Sequence, residues 1–218
     1  MHDGHDHDHS QTFQPDHDRG PATPYEVLEL ALRTLLLEKG ILTAEEITTR
    51  MNEFDTKSPA LGAKVVARAW TDPAFKARLL ADTRSALEEL SIDIGEVAEF
   101  KTVENTPEVH NVIVCTLCSC YPKGLLGYPP AWYKSLAYRS RTVREPRKIL
   151  REFGTDIPET TDVRVHDSTA DLRYIVLPMR PDGTESWSED QLAAIITRDS
   201  MIGVTRANSP GADTSRPS

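Results

Sequence analysis

Cys115-Thr116-Leu117-Cys118-Ser119-Cys120 holds every cysteine of the chain. Three thiols in one short window, with no distant cysteine to pair with, exclude a disulfide framework and leave metal binding, thiol exchange, or both. Cys115 and Cys118 have the spacing of an exchange motif. They lack its Gly-Pro turn, however, and the third thiol has no part in that chemistry. A structural zinc site needs four ligands in a tetrahedron. His110 is a candidate fourth, but Cys118 and Cys120 are closer together than a usual zinc knuckle allows. The third reading is a chelate made by the loop itself. Thiolates at i, i+3 and i+5 can take one face of an octahedron, with the peptide nitrogens of Ser119 and Cys120 between the sulfurs. Only a strongly polarising, low-spin trivalent ion would remove protons from peptide amides near neutral pH. Three sulfurs and two nitrogens leave one position open, as a catalytic rather than a structural site requires.

The elements that must position this loop are legible on both sides of it. Thr23 can cap a helix that Pro24 opens and Gly40 ends, with Val27, Leu28, Leu30, Leu32, Leu35 and Leu36 on its apolar face. Thr43-Ala44-Glu45-Glu46 is a capping box for a second helix. Ser58-Pro59 starts a third, with Val65, Val66, Ala69 and Trp70 inward, and Asp72-Pro73 starts a fourth that runs to about Leu90. Beyond it, Phe100 to Glu104, Asn111 to Val114, Val163 to His166 and Arg173 to Leu177 read as strands. Pro130 to Lys134, Arg144 to Phe153 and Ser188 to Ile196 read as helices, the last opened by Ser188 and Gln191. His110 and His166 are expected to be hydrogen-bonded structural residues.

These residues resemble the alpha subunit of cobalt-type nitrile hydratases. Val114 to Pro122 is similar to that family's metal claw, and Thr116 is its cobalt-type spelling, where iron enzymes usually have Ser. Val103 to Asn111, Leu126 to Lys134, Val143 to Arg147, Leu172 to Pro178 and Thr197 to Gly203 extend the resemblance over about Pro24 to Val204. It implies an α+β fold, a layered α/β/β/α domain with a helical N-terminal arm. It further implies a low-spin Co(III) centre, with iron the lesser alternative, held by Cys115, Cys118, Ser119 and Cys120. Cys115 would be the axial thiolate, Cys118 a sulfinate and Cys120 a sulfenate, since metal-bound thiolates climb the oxidation ladder readily. The amides of Ser119 and Cys120 would lie in the equatorial plane. Cys120, Cys118 and Arg173 are then the catalytic candidates, with Arg173 supporting the site from outside the ligand set. The implied activity is hydration of a nitrile to its amide. The implied partners are one or more beta-type subunits that bring arginines to the claw, and a metallochaperone.

Two positions depart from the family pattern. A Trp is expected where Lys123 stands, and a glutamine where Glu96 aligns. Both are candidate residues of the substrate pocket, and both changes point to a bulky or polar nitrile. The related thiocyanate hydrolase gamma subunit also has a basic residue at the Lys123 position and an N-terminal His-Asp tract, so thiocyanate hydrolysis is the alternative activity. A three-subunit enzyme such as toyocamycin nitrile hydratase would combine both sets of features. A zinc-binding structural module and a metallochaperone are the readings from other classes.

Composition bounds the rest. The 218 residues are 39% hydrophobic and 27% charged, enough for one core. A net charge of −9 argues against a nucleic-acid partner. No run approaches the ~18 apolar residues of a membrane helix, and no secretory signal is visible, so a cytoplasmic location is expected. Residues 1–22 are a His/Asp-rich tail, expected to be disordered and either metal-collecting or merely solubilising. Residues 23–92 are expected to form the helical arm, 93–206 the claw domain and 207–218 a second tail. The basic run from Lys134 to Arg151 reads as the solvated face of a helix, one or two of whose arginines serve the metal site or an acidic partner surface.

Overall fold

Side-chain caps and prolines fix where the helices begin. In the computed structural model, which describes residues 23–47, 49, 57–95, 99–118 and 120–210, α1 (Pro24–Glu38) opens with a reciprocal box between Thr23 and Glu26. Thr43 and Glu46 exchange the same pair of bonds at the next helical turn. Pro59 starts α2 (Pro59–Thr71), and Asp72 caps α3 (Pro73–Ala81) by accepting from the amides of Ala74 and Phe75. The helix expected to continue to Leu90 breaks at Asp82 instead. There the backbone turns extended, and the Asp82 carboxylate caps α4 (Thr83–Glu89) by accepting from both the amide and the hydroxyl of Ser85. An aspartate three residues ahead of a serine satisfies the orphan amides of a new helix better than it serves the interior of an old one.

The strands are β1 (Glu99–Glu104), β2 (Val109–Val114), β3 (Asp162–Asp167) and β4 (Leu172–Leu177). They form two parallel pairs, β1 with β4 and β2 with β3. A parallel pair needs a long crossover. That between β2 and β3 carries α5 (Lys123–Leu126), α6 (Ala131–Lys134), α7 (Leu136–Arg144) and α8 (Pro146–Glu152). The last elements of the described residues are α9 (Glu189–Ile195), capped by Ser188 and Gln191, and α10 (Arg198–Ile202). α3 and α4 lie on β1, the two sheets meet through β2, and α7 and α8 cover β2 and β3. This is the expected α/β/β/α layering.

One core runs through all these layers. Val65 and Val66 of α2, Phe75 and Leu79 of α3 and Leu87 of α4 belong to the same buried cluster as Val112, Ile113, Ile175 and Val176. The boundary expected at residue 92 therefore marks no break in packing. Among the described residues, α1 and the helical turn at 44–47 contribute no buried residue. Two glycines mark the tightest approaches. A Cβ at Gly203, where φ is +86°, would lie 2.0 Å from the Asn111 carbonyl oxygen. One at Gly124 would meet the Ile94 backbone at 2.5 Å. Gly124 is thus a close helix-to-loop contact.

α5 and α10 are not anticipated from the sequence, and α7 falls within the basic run from Lys134 to Arg151 that reads only as the solvated face of a helix. α7 is so basic that its apolar periodicity is faint, and its buried residues are a tyrosine and a threonine. α10 is a single short turn closed by Gly203 in the left-handed conformation. No helix among the described residues is long and apolar enough to cross a membrane.

Candidate metal centre

β2 ends with Val114 paired to Asp167 of β3, and the cysteine loop leaves from that carboxyl end. Cys115 is wholly buried, Cys120 nearly so, and Cys118 is exposed. Their sulfurs converge: Cys115 Sγ to Cys118 Sγ is 3.4 Å and Cys118 Sγ to Cys120 Sγ is 3.0 Å. The Cys118 amide turns inward and donates to Cys115 Sγ at 3.3 Å. All three sulfurs lie within 4.8 Å of one another.

These spacings bear on the competing readings of the loop. With metal–sulfur bonds of about 2.3 Å, neighbouring sulfurs sit about 3.8 Å apart in a tetrahedron and about 3.3 Å apart on an octahedral face. The two separations that involve Cys118, 3.4 and 3.0 Å, are nearer the octahedral than the tetrahedral spacing. His110 is not available as a fourth zinc ligand. It is buried, its Nε2 donates to the Gly203 carbonyl at 2.7 Å, and its Nδ1 faces Asn105 Nδ2 at 3.3 Å. Burial holds its pKa below the usual histidine value. His166 is likewise structural, bonded through Nε2 to Asn111 Oδ1 at 2.8 Å and stacked on Tyr174.

Burial, and then the hydrogen bond to Cys118, push the Cys120 thiol up to about 12, while the nearby Arg173 guanidinium pulls it down. A thiol so placed becomes a thiolate when a cation of high charge binds it. Arg173 lies in β4, half-buried, and its guanidinium is near enough to lower the Cys120 pKa. Lys123 is exposed at the start of α5. Ser119 and Glu96, and the His/Asp-rich stretch, lie outside the described residues.

Contacts from distant parts of the chain hold the loop. The Asp167 carboxylate accepts from the Thr116 amide at 2.9 Å and from its hydroxyl at 2.5 Å. Arg139 of α7 donates to the carbonyls of Cys115 and Thr116, and Tyr133 of α6 donates to that of Cys120. Tyr138 secures α7 to the end of β2 by donating to the Ile113 carbonyl at 2.6 Å. Of the basic run, Arg141 pairs with Glu145 and Glu152, and Arg147 binds backbone carbonyls ahead of β3. Among the described residues of that run, Arg139 is the one that donates to the cysteine loop. Sequence reading singled out no individual arginine for this, and spacing alone carries no signal for it.

The family model described as nitrile hydratase, alpha chain, matches residues 23–205. The cobalt-containing nitrile hydratase alpha subunit of Pseudonocardia thermophila is 52% identical over 179 residues, covering 81% of this chain and 88% of that one. The thiocyanate hydrolase gamma subunit of Thiobacillus thioparus is 41% identical over 191 residues, covering 83% and 79% respectively. Among solved structures, a double mutant of the Fe-type nitrile hydratase from Comamonas testosteroni Ni1 superposes with a TM-score of 0.81 at 47% identity, covering 90% of this chain and 98% of that one. With the sulfur cluster at the end of β2 and the layered fold around it, these matches place the chain in the nitrile hydratase alpha-chain family.

Proposed function

We propose that this chain is the metal-carrying catalytic subunit of a nitrile hydratase, with a low-spin trivalent cobalt ion held by the sulfurs of Cys115, Cys118 and Cys120 and the amide nitrogens of Ser119 and Cys120. The observation that carries the reading is the convergence of three sulfurs within 4.8 Å of one another, with Cys118 at 3.4 and 3.0 Å from the other two. When bound, the ion supplies Lewis acidity that activates a nitrile or a water at the one position the chain leaves open. The chain's own residues do the rest. Cys115 would be the buried thiolate ligand. With the ion bound and dioxygen as oxidant and oxygen source, Cys118, which is exposed, would be oxidised to the sulfinate and Cys120 to the sulfenate, whose oxygen would serve as nucleophile or base. Arg173 stabilises that anionic oxygen by its charge. Thr116, and relatives named as cobalt-containing, favour cobalt over iron.

Lys123 and Glu96 are assigned to the substrate pocket and favour a polar or bulky nitrile. Partner subunits complete the site with arginines, and α1 is their clasp: Val27, Leu28, Leu30 and Leu32 are each more than half exposed. A metallochaperone delivers the ion. The cytoplasm, a reducing compartment, suits three cysteines with no disulfide among them.

The test is metal analysis and intact mass on the chain co-produced with its partner in cobalt-supplemented cells, followed by activity assays. Stoichiometric cobalt, a visible sulfur-to-cobalt absorption, a mass gain of three oxygens and amide formation from nitriles are the expected results. A colourless zinc protein would overturn the proposal. Release of carbonyl sulfide from thiocyanate without nitrile hydration would favour the alternative that Lys123 suggests.

A further inference from the structure

The carbonyls leading from β2 into the cysteine loop each have a donor. That of Ile113 takes the Tyr138 hydroxyl and that of Val114 the Ser168 amide, at 2.6 and 2.7 Å. Those of Cys115 and Thr116 take Arg139 Nε at 3.0 Å and Nη2 at 2.8 Å. In an extended strand, successive carbonyls point to opposite sides. One planar guanidinium can reach two in a row only if the chain has left the extended conformation between them, so Arg139 marks where the loop bends. Thr116 is fixed on its other side as well, since Asp167 takes both its amide and its hydroxyl. Helix α7 and the end of β3 therefore grip the same residue, one through a cation and the other through an anion.

We propose that Arg139 is a positioning residue for the metal loop: its two-carbonyl fork, opposed by Asp167 across Thr116, sets the bend that brings the three sulfurs together before an ion arrives. The claim rests on the reading of the loop as a metal centre, but its geometric part concerns the metal-free chain. Preorganisation of this kind removes an ordering penalty from ion binding. The fork is what matters, because a guanidinium presents several donors in one plane, whereas an ammonium on a flexible stem acts as a point charge. Arg139→Lys keeps the charge and loses the shape; Arg139→Met loses both while keeping the stem.

Both variants are made in the full chain, co-produced with its partner. In metal-free protein, hydrogen exchange is followed over the segment from Ile113 to Cys118. Loss of two charge-assisted bonds is expected to speed exchange of the Thr116 and Cys118 amides about tenfold or more in both variants, with β1 and β4 unchanged. In cobalt-loaded protein, both are expected to lose the ion to a chelator about tenfold faster than wild type, with a shifted sulfur-to-cobalt absorption. Exchange that matches wild type overturns the proposal, and so does full restoration by lysine, which would make charge the whole effect. If wild type takes up no cobalt, the proposed function falls while the exchange result still judges the clamp. Should the Arg139 variants fail to fold, Thr116→Val removes only the hydroxyl bond to Asp167 and is expected to speed the same exchange about threefold; no change there overturns the proposal equally.

Discussion

The Tyr133 hydroxyl donates to the Cys120 carbonyl at 2.9 Å, and its ring meets that of Tyr121, the next residue, edge-on at 5.0 Å. The last cysteine is thus tied into the aromatic cluster that includes Trp132, Tyr138 and Phe153. Tyr133→Phe keeps the ring and removes the donor, leaving a buried carbonyl unsatisfied. The expected loss is about 1–3 kcal/mol of stability, read as a lower urea midpoint at unchanged slope. An unchanged midpoint would show that water replaces the hydroxyl without penalty.

Cys115 and His110 offer a contrast between a ligand and a structural residue. Cys115→Ala removes the buried sulfur and is expected to leave the chain folded, within about 1–2 kcal/mol of wild type. Cobalt per chain should fall to about a tenth or less, because one corner of the octahedral face is gone. His110→Gln should do the reverse, lowering stability by about 1–2 kcal/mol through its bonds to Gly203 and Asn105 while cobalt stays near stoichiometric. Metal analysis of the two variants decides the assignment; retained cobalt in Cys115→Ala refutes it.

The loop was legible because its chemistry is packed into adjacent positions. The strands were legible because a buried parallel strand such as Val112-Ile113-Val114 is an unbroken apolar run. What binds the loop was not, since Asp167 is 51 residues from Thr116 and Arg139 is 24 from Cys115. Such contacts depend on how α7 and β3 come back past β2, and no local pattern encodes that return. The break at Asp82 was hidden differently. Its cap needs only an aspartate and a serine, residues equally at home on a solvated helix face.

Gly203 is the most constrained glycine of the core. With φ at +86° and the Asn111 oxygen 2.0 Å from where a Cβ would sit, Gly203→Ala must displace either α10 or β2. A loss of about 3–5 kcal/mol is expected, larger than the left-handed conformation alone would give. His110 bonds the carbonyl of this same residue, so the shift should also expose the histidine. Thermal unfolding measures the first effect and the pH titration of His110 the second. A loss near 1 kcal/mol would mean that the backbone yields easily here.

Stability should fall on mild acidification. Burial is the main cause that lowers the pKa of both His110 and His166, with Arg206 and Arg164 adding repulsion of the same sign. Between the folded and unfolded pKa values the unfolded chain binds more protons, so stability is fully present above the unfolded histidine pKa of about 6.5 and declines as pH drops below it. Asp199 acts oppositely, since burial raises its pKa and its protonation in the fold adds stability as pH falls towards the carboxylate range. Denaturant midpoints at pH 7.5 and 5.5 test this. The difference should shrink in His110→Gln; an undiminished slope would place the titrating group elsewhere.

α1 should matter for assembly rather than for the fold. Leu28 is 63% exposed and Tyr25 82%, and the helix contributes no residue to the core. An exposed apolar helix of this length is marginal by itself in water and gains its stability from a surface to lie on. Removal of residues 1–40 is expected to leave the thermal midpoint of the isolated chain within about 2 °C of wild type, because only the core sets it. Affinity for the partner subunit should weaken by a factor of about 100 or more, since several buried leucines are lost from the interface. Replacing Leu28 and Leu32 by Asp should reproduce most of that loss with α1 still present. Retained affinity in both variants would show that the partner grips another face, and the exposed Leu117 of the cysteine loop, with Tyr128 and Leu136, would be the residues to alter next.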